Sequence, residues 1–187
     1  MKNILLPTLI TGAVLALSAC GGGGGKGGET VSPEKKYAGI WKGKCEFSGT
    51  RSYKQTWTIK EDGTLINTIP IWTNTTCAGT PRGPAVATST VTYKNEVDVP
   101  NTCAGGKAQE VDITFTHLDL RSLGQIHGDV DIRAALLLQG ITFPKHDIIC
   151  INKDNSDDLH TGDTELNDGS TPLKRPKEVN PNKSFSK

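Results

Sequence analysis

Tyr53-Lys54-Gln55-Thr56-Trp57-Thr58-Ile59-Lys60-Glu61-Asp62-Gly63-Thr64-Leu65-Ile66-Asn67-Thr68-Ile69-Pro70-Ile71-Trp72 is the stretch on which the fold turns. In its first half Tyr53, Gln55, Trp57 and Ile59 alternate with Lys54, Thr56, Thr58 and Lys60, the period-two pattern of a strand with one wet face. Glu61-Asp62-Gly63 follows at once, and Thr64 to Trp72 is rich in β-branched residues. The two halves therefore read as a hairpin around an Asp-Gly turn.

Outward from this hairpin the same signals recur. Pro81-Arg82-Gly83-Pro84 marks a turn, and Ala85 to Tyr93 carries valine, threonine and tyrosine at strand-like density. Val111, Ile113 and Phe115 alternate with Asp112, Thr114 and Thr116, and Ile126, Val130 and Ile132 alternate with His127, Asp129, Asp131 and Arg133. Ala134 to Leu138 is a continuous apolar run that suits a helix or a buried strand; strand is preferred because Ile141 to Phe143 and Ile148 to Ile151 are strand-like neighbours. About seven or eight short strands separated by turn signals predict an all-β fold, an antiparallel barrel or sandwich. From Asn152 onward Asp, Asn, Gly, Pro and Lys dominate. The reading is a β domain over 37–153 followed by a polar, loosely ordered tail over 154–187.

Apart from Cys20, four cysteines are present: Cys45, Cys77, Cys103 and Cys150. An even number in an exported chain predicts two disulfides; no pair has the C-x-x-C spacing of a zinc site. The pairing stays open. Moderate loops favour Cys45 with Cys77 and Cys103 with Cys150, whereas the near repeat of Asn74-Thr75-Thr76-Cys77-Ala78-Gly79 in Asn101-Thr102-Cys103-Ala104-Gly105 favours Cys77 with Cys103.

The chain opens on Lys2, an apolar run from Ile4 to Leu17, and Leu17-Ser18-Ala19-Cys20. A basic start, a short apolar core and small residues before a cut make a secretory signal over 1–19, shorter than the roughly 20 residues a spanning helix needs. Leu17-Ser18-Ala19-Cys20 resembles the lipobox of bacterial lipoproteins. The resemblance implies cleavage before Cys20, a diacylglycerol thioether on its sulfur and a further acyl group such as palmitate on the new amino terminus, so that the protein lies on a membrane through its lipid. Gly21 is not the aspartate that retains such lipoproteins at the inner membrane, which implies the outer membrane. Gly21 to Gly28 is glycine apart from Lys26, and with the polar residues up to Lys36 it reads as a flexible linker over 20–36. It also resembles the leash of surface-displayed lipoproteins, although a plain spacer fits the composition as well.

Removing residues 1–19 takes away Lys2 and no acid, leaving basic and acidic residues in balance at 20 each. Such a chain projects no long-range field, and nucleic acid is not an expected partner.

Gly39-Ile40-Trp41 opens the first strand of the domain. Gly-x-Trp at that place resembles the lipocalin signature. The resemblance implies a lipocalin-like barrel in which Trp41 closes one end and the open end holds a small apolar ligand.

No motif for a nucleophilic serine, a zinc protease helix, a phosphate-cradling loop or a redox dithiol occurs. No catalytic residue, metal or cofactor is assigned. His117, His127 and His146 lie near Asp119, Asp129 and Asp147 in sequence, and with His160 they are read as solvated polar residues. Asn152, Asp154, Ser156, Asp158, His160 and Asp163 are spaced like part of a calcium loop, but Asp157 stands where glycine is needed and Asp163 where a bidentate glutamate is used. The leading expectation is thus a non-enzymatic binding module, fixed to the cell envelope through Cys20 and directed at a protein or host molecule. The alternative is a lipocalin-like carrier of a small apolar ligand.

Overall fold

A computed structural model describes residues 31–99, 101–119, 143–163 and 167–187. Cys20, the lipobox, the glycine run and the strands expected over 126–133 and 134–142 lie outside the described residues.

The hairpin forms as its alternation dictates: β2 (Arg51–Ile59) and β3 (Thr64–Trp72) pair antiparallel with Trp57 opposite Asn67 and Ile59 opposite Leu65. Between them Asp62 Oδ1 accepts the Thr64 N–H, and Gly63 takes φ +80°, which a side chain would resist. Before this hairpin comes β1 (Gly39–Ser48), and after it β4 (Arg82–Asp98), β5 (Lys107–Asp119), β6 (Lys145–Ile151), β7 (Asp158–Gly162) and β8 (Val179–Ser186). Every neighbouring pair is antiparallel, and β8 returns to β1, closing an eight-stranded barrel.

Alternation sends one side chain in two to the interior. Trp41, Ile59, Leu65, Val91, Val111, Ile149, Leu159 and Phe185 form one buried cluster with Tyr37, while Lys42, Lys54 and Thr56 take the opposite parity. Tyr37 ends a short helix, α1 (Pro33–Tyr37), whose carbonyl accepts the Trp41 Nε1–H at 2.9 Å; both rings are fully buried at this end of the barrel. Burial pushes the Tyr37 hydroxyl well above the ordinary tyrosine range, and the stacked Tyr93 is pushed up to about 12 by the same cause.

Two expectations are corrected. Residues 154–187 are not a loose tail: β7 and β8 are barrel strands, with Leu159 and Phe185 in the core and opposite each other. The linker does not extend to Lys36, because Pro33 starts a helix there. The local propensities of residues 158–162 and 179–186 are weak, and tertiary pairing overrides them.

The disulfides are Cys45–Cys77 and Cys103–Cys150, the pairing that moderate loops favour. Cys77 and Cys103 are not partners; each copy of the repeated turn is bonded to a different strand. The first disulfide folds the β3–β4 connection over the outer face of β1 and β2, where Cys77 N donates to the buried Ser52 hydroxyl at 2.9 Å. The second joins an outer cluster of Val99, Ala108, Ile148 and Val179.

Candidate functional site

Two places on the barrel concentrate unusual polar chemistry. The first is the seam between β1 and β8. Among the described residues, pairing there is confined to Lys42 with Ser186 and Gly43 with Phe185. Both strands are deformed beyond that point. On β1 the register against β2 slips between Lys42 and Cys45, a bulge centred on Gly43 and Lys44. On β8 the register against β7 slips between His160 and Gly162, Pro181 has no N–H to donate, and the Asn180 side chain captures the Asn182 N–H at 2.9 Å. The strands part, leaving a groove of about 330 Å³ whose sides include Lys44 and Glu46 on one strand and Asn182 and Lys183 on the other.

Its charge is net positive, with Lys44 and Lys183 against Glu46. Glu46 accepts a hydrogen bond from the Tyr53 hydroxyl at 2.9 Å. Lys44 is exposed and makes no ion pair among the described residues, and Lys42 and Lys54 stand nearby on the outward face of β1 and β2. Lys183 makes no close ion pair either; its charge acts at longer range on Asp147. Phe47, 71% exposed, lies on the same outward face where β1 has no β8 partner.

The second place is a charged network on β5 and β6, covered by the segment leading into β8. Arg175 Nη1 donates to the carbonyls of Val111 at 2.6 Å and Asp147 at 2.7 Å, its Nη2 donates to Asp112 Oδ1 at 2.5 Å, and Nε lies 3.4 Å from Glu110. His146 Nδ1 shares Asp112 Oδ1 at 2.6 Å, and His146 N donates to the Gly169 carbonyl. Burial works against ionisation of Asp112, but the bonds from His146 and Arg175 outweigh it and hold the carboxyl below its ordinary range. Asp147 has the opposite balance. It is almost wholly buried, and desolvation raises its pKa although Lys145 lies 3.9 Å away and the N–H groups of Ile148 and Gly162 bond to Oδ1. Gly162 has no room for a side chain: an added Cβ would stand 2.5 Å from both Asp147 Oδ1 and Pro176 Cβ. The network's groups bond chiefly to one another and to backbone, so its chemistry is to hold the C-terminal segment down.

The residues singled out from sequence are partly rearranged. His146 meets Asp112 across the sheet, not the adjacent Asp147. It is buried, as is His160, which bonds to Asn152 at 3.0 Å; the expectation that both are solvated is overturned, because the C-terminal segment and the β6–β7 hairpin cover them. The spaced residues from Asn152 to Asp163 serve a turn and a strand: Asn152 Oδ1 accepts the Asp154 N–H, and Asp158 Oδ1 accepts the Ser186 hydroxyl. Trp41 is buried in the core and donates its Nε1–H to the Tyr37 carbonyl. The seam was missed, although residues 34–60 carry Lys35, Lys36, Lys42, Lys44, Arg51, Lys54 and Lys60 against Glu34 and Glu46. That local excess disappears in the neutral whole.

No family model, curated protein or solved structure matches this chain.

Proposed function

We propose that this chain is a lipid-anchored, non-enzymatic binding protein of the bacterial cell envelope, held at the outer membrane through Cys20 and presenting the disulfide-braced barrel to a protein or host molecule. The observation that carries the reading is the β1–β8 seam, a surface groove with an unpaired strand, uncommitted lysines and an exposed phenylalanine. Exposed edges are usually covered or short, and one left open beside a groove is a place for another chain.

A second reading is a lipocalin-like carrier of a small apolar ligand. It is supported by the closed eight-stranded barrel and by the burial of Trp41 against Tyr37 in its core. Against it stands the filling of the interior by nine buried side chains from Tyr37 to Phe185.

Expression of the full chain in a Gram-negative host tests both. Membrane fractionation should find the wild type with the outer membrane and the Cys20→Ala variant released from it. Native mass spectrometry of the wild type in detergent should show the protein with its lipid anchor and no other adduct. A reproducible apolar small molecule shed on denaturation would overturn the binding-module reading in favour of the carrier; wild type and variant in the same soluble fraction would overturn the anchor.

A further inference from the structure

We infer that the parted seam receives an acidic, extended peptide that adds to β1 as a strand between Lys44 and Lys183. The inference rests on the binding-module reading above and names the chemistry of the partner.

The backbone supplies the first argument. Beyond Gly43 the β8-facing side of β1 has no strand partner among the described residues, so alternate residues from Lys44 to Ser48 direct an N–H and a C=O toward the groove. These groups need hydrogen-bond partners, and an added strand provides them in register. The gap is also held open. Pro181 cannot donate to a ladder, the Asn180 side chain turns β8 aside, and Cys45–Cys77 ties β1 to the β3–β4 connection. Simple closure of β8 onto β1 would have to undo these features.

Charge chooses the occupant. Lys44 and Lys183 belong to opposite sides of the groove, with Lys42 and Lys54 on the adjoining face, and these cations outnumber the one lining carboxylate, Glu46, which accepts a hydrogen bond from Tyr53. An acidic strand gains from all four cations, a basic one is repelled, and a second copy of this edge would bring lysine against lysine. Phe47 offers an apolar contact to a side chain on the strand's outward face. An anionic bilayer would answer the lysines but leave the edge amides unused, so the observations favour the peptide.

The probe is a fluorescein-labelled octapeptide of alternating glutamate and valine, titrated with the purified full chain in nonionic detergent and read by anisotropy. Its lysine–valine counterpart and phosphatidylglycerol vesicles serve as comparisons. Saturable binding of the acidic peptide alone is expected, with slowed hydrogen exchange at the amides of residues 44–48. The double variant Lys44→Glu, Lys183→Glu should weaken binding about tenfold, the effect of reversing two partly exposed pairs; Lys44→Glu alone should weaken it in part while its Tm stays that of the wild type. Phe47→Ala should weaken binding without reversing the preference for acid. Equal binding of both peptides, binding without slowed exchange at 44–48, or vesicle binding with no peptide binding would each overturn the inference. Should the peptide fail to bind a chain that is membrane-anchored and free of small-molecule adduct, only the strand addition falls; an apolar adduct would bring down the binding-module reading itself.

Discussion

The two flanks of the barrel treat their backbone polar groups in opposite ways. On the β5–β6 flank, pairing runs from Gln109 with Ile149 to Ile113 with Lys145, and Arg175 caps two carbonyls while engaging Asp112 and Glu110. On the β1–β8 flank, pairing among the described residues stops after Gly43 with Phe185, and the lysines beside the groove have no close ion pair there. The first flank spends its charges on internal order. The second, among the described residues, leaves backbone groups and cations without such internal partners, and on the proposed reading stability and binding fall to different strands of one sheet.

Breaking the ordered flank should have the largest effect. Arg175→Met removes a buried cation and leaves Asp112 and two carbonyls without it, a loss of about 3 kcal/mol in urea unfolding; an unchanged midpoint would show that the network holds nothing. Next comes the Cys103→Ser, Cys150→Ser pair, expected to lose about 2–4 kcal/mol. The Cys45→Ser, Cys77→Ser pair closes a loop of similar length but is less buried, so its loss should be the smaller of the two.

Acid sharpens the contrast within the ordered flank. Asp112 has a lowered pKa in the fold, so its contribution is present at neutral pH and fades as pH falls through and below the usual carboxylate range. Asp147 runs the other way: its folded pKa is raised, and stability falls as pH rises from the usual carboxylate range through that raised value. Asp147→Asn retains an oxygen for the Ile148 and Gly162 N–H groups and removes the buried charge. It should therefore raise the neutral-pH melting temperature modestly and leave the acid limb unchanged; a lower melting temperature at pH 7 would mean that Lys145 and Lys183 more than offset burial. The smallest stability effect belongs to the seam, where Lys44→Glu should leave the melting temperature unaltered, since a solvated side chain with no ion pair supports no contact that folding needs.

Legibility in the sequence followed locality. The hairpin of β2 and β3 could be read because its alternation and its Asp-Gly turn lie within twenty consecutive residues. β7 and β8 could not: Asp158–Gly162 is short and polar, Val179–Ser186 contains Pro181, and the partners that make them strands are remote along the chain. Asp112 and Arg175 are separated by 63 positions, and no spacing rule joins them. The seam had a trace, the run of lysines from 35 to 60, which whole-chain charge counting averaged away. The four disulfide cysteines were legible from their number, while the partner of each depended on the barrel.

An open strand edge is also a hazard, because identical edges can stack on one another into aggregates. Here Lys44 stands on that edge and Pro181 interrupts the strand opposite, two devices that keep a crowded population of this protein from polymerising through its own seam. The cations proposed to recruit an acidic strand thus also act as gatekeepers of solubility, and a concentrated population can keep its edges bare without sticking to itself.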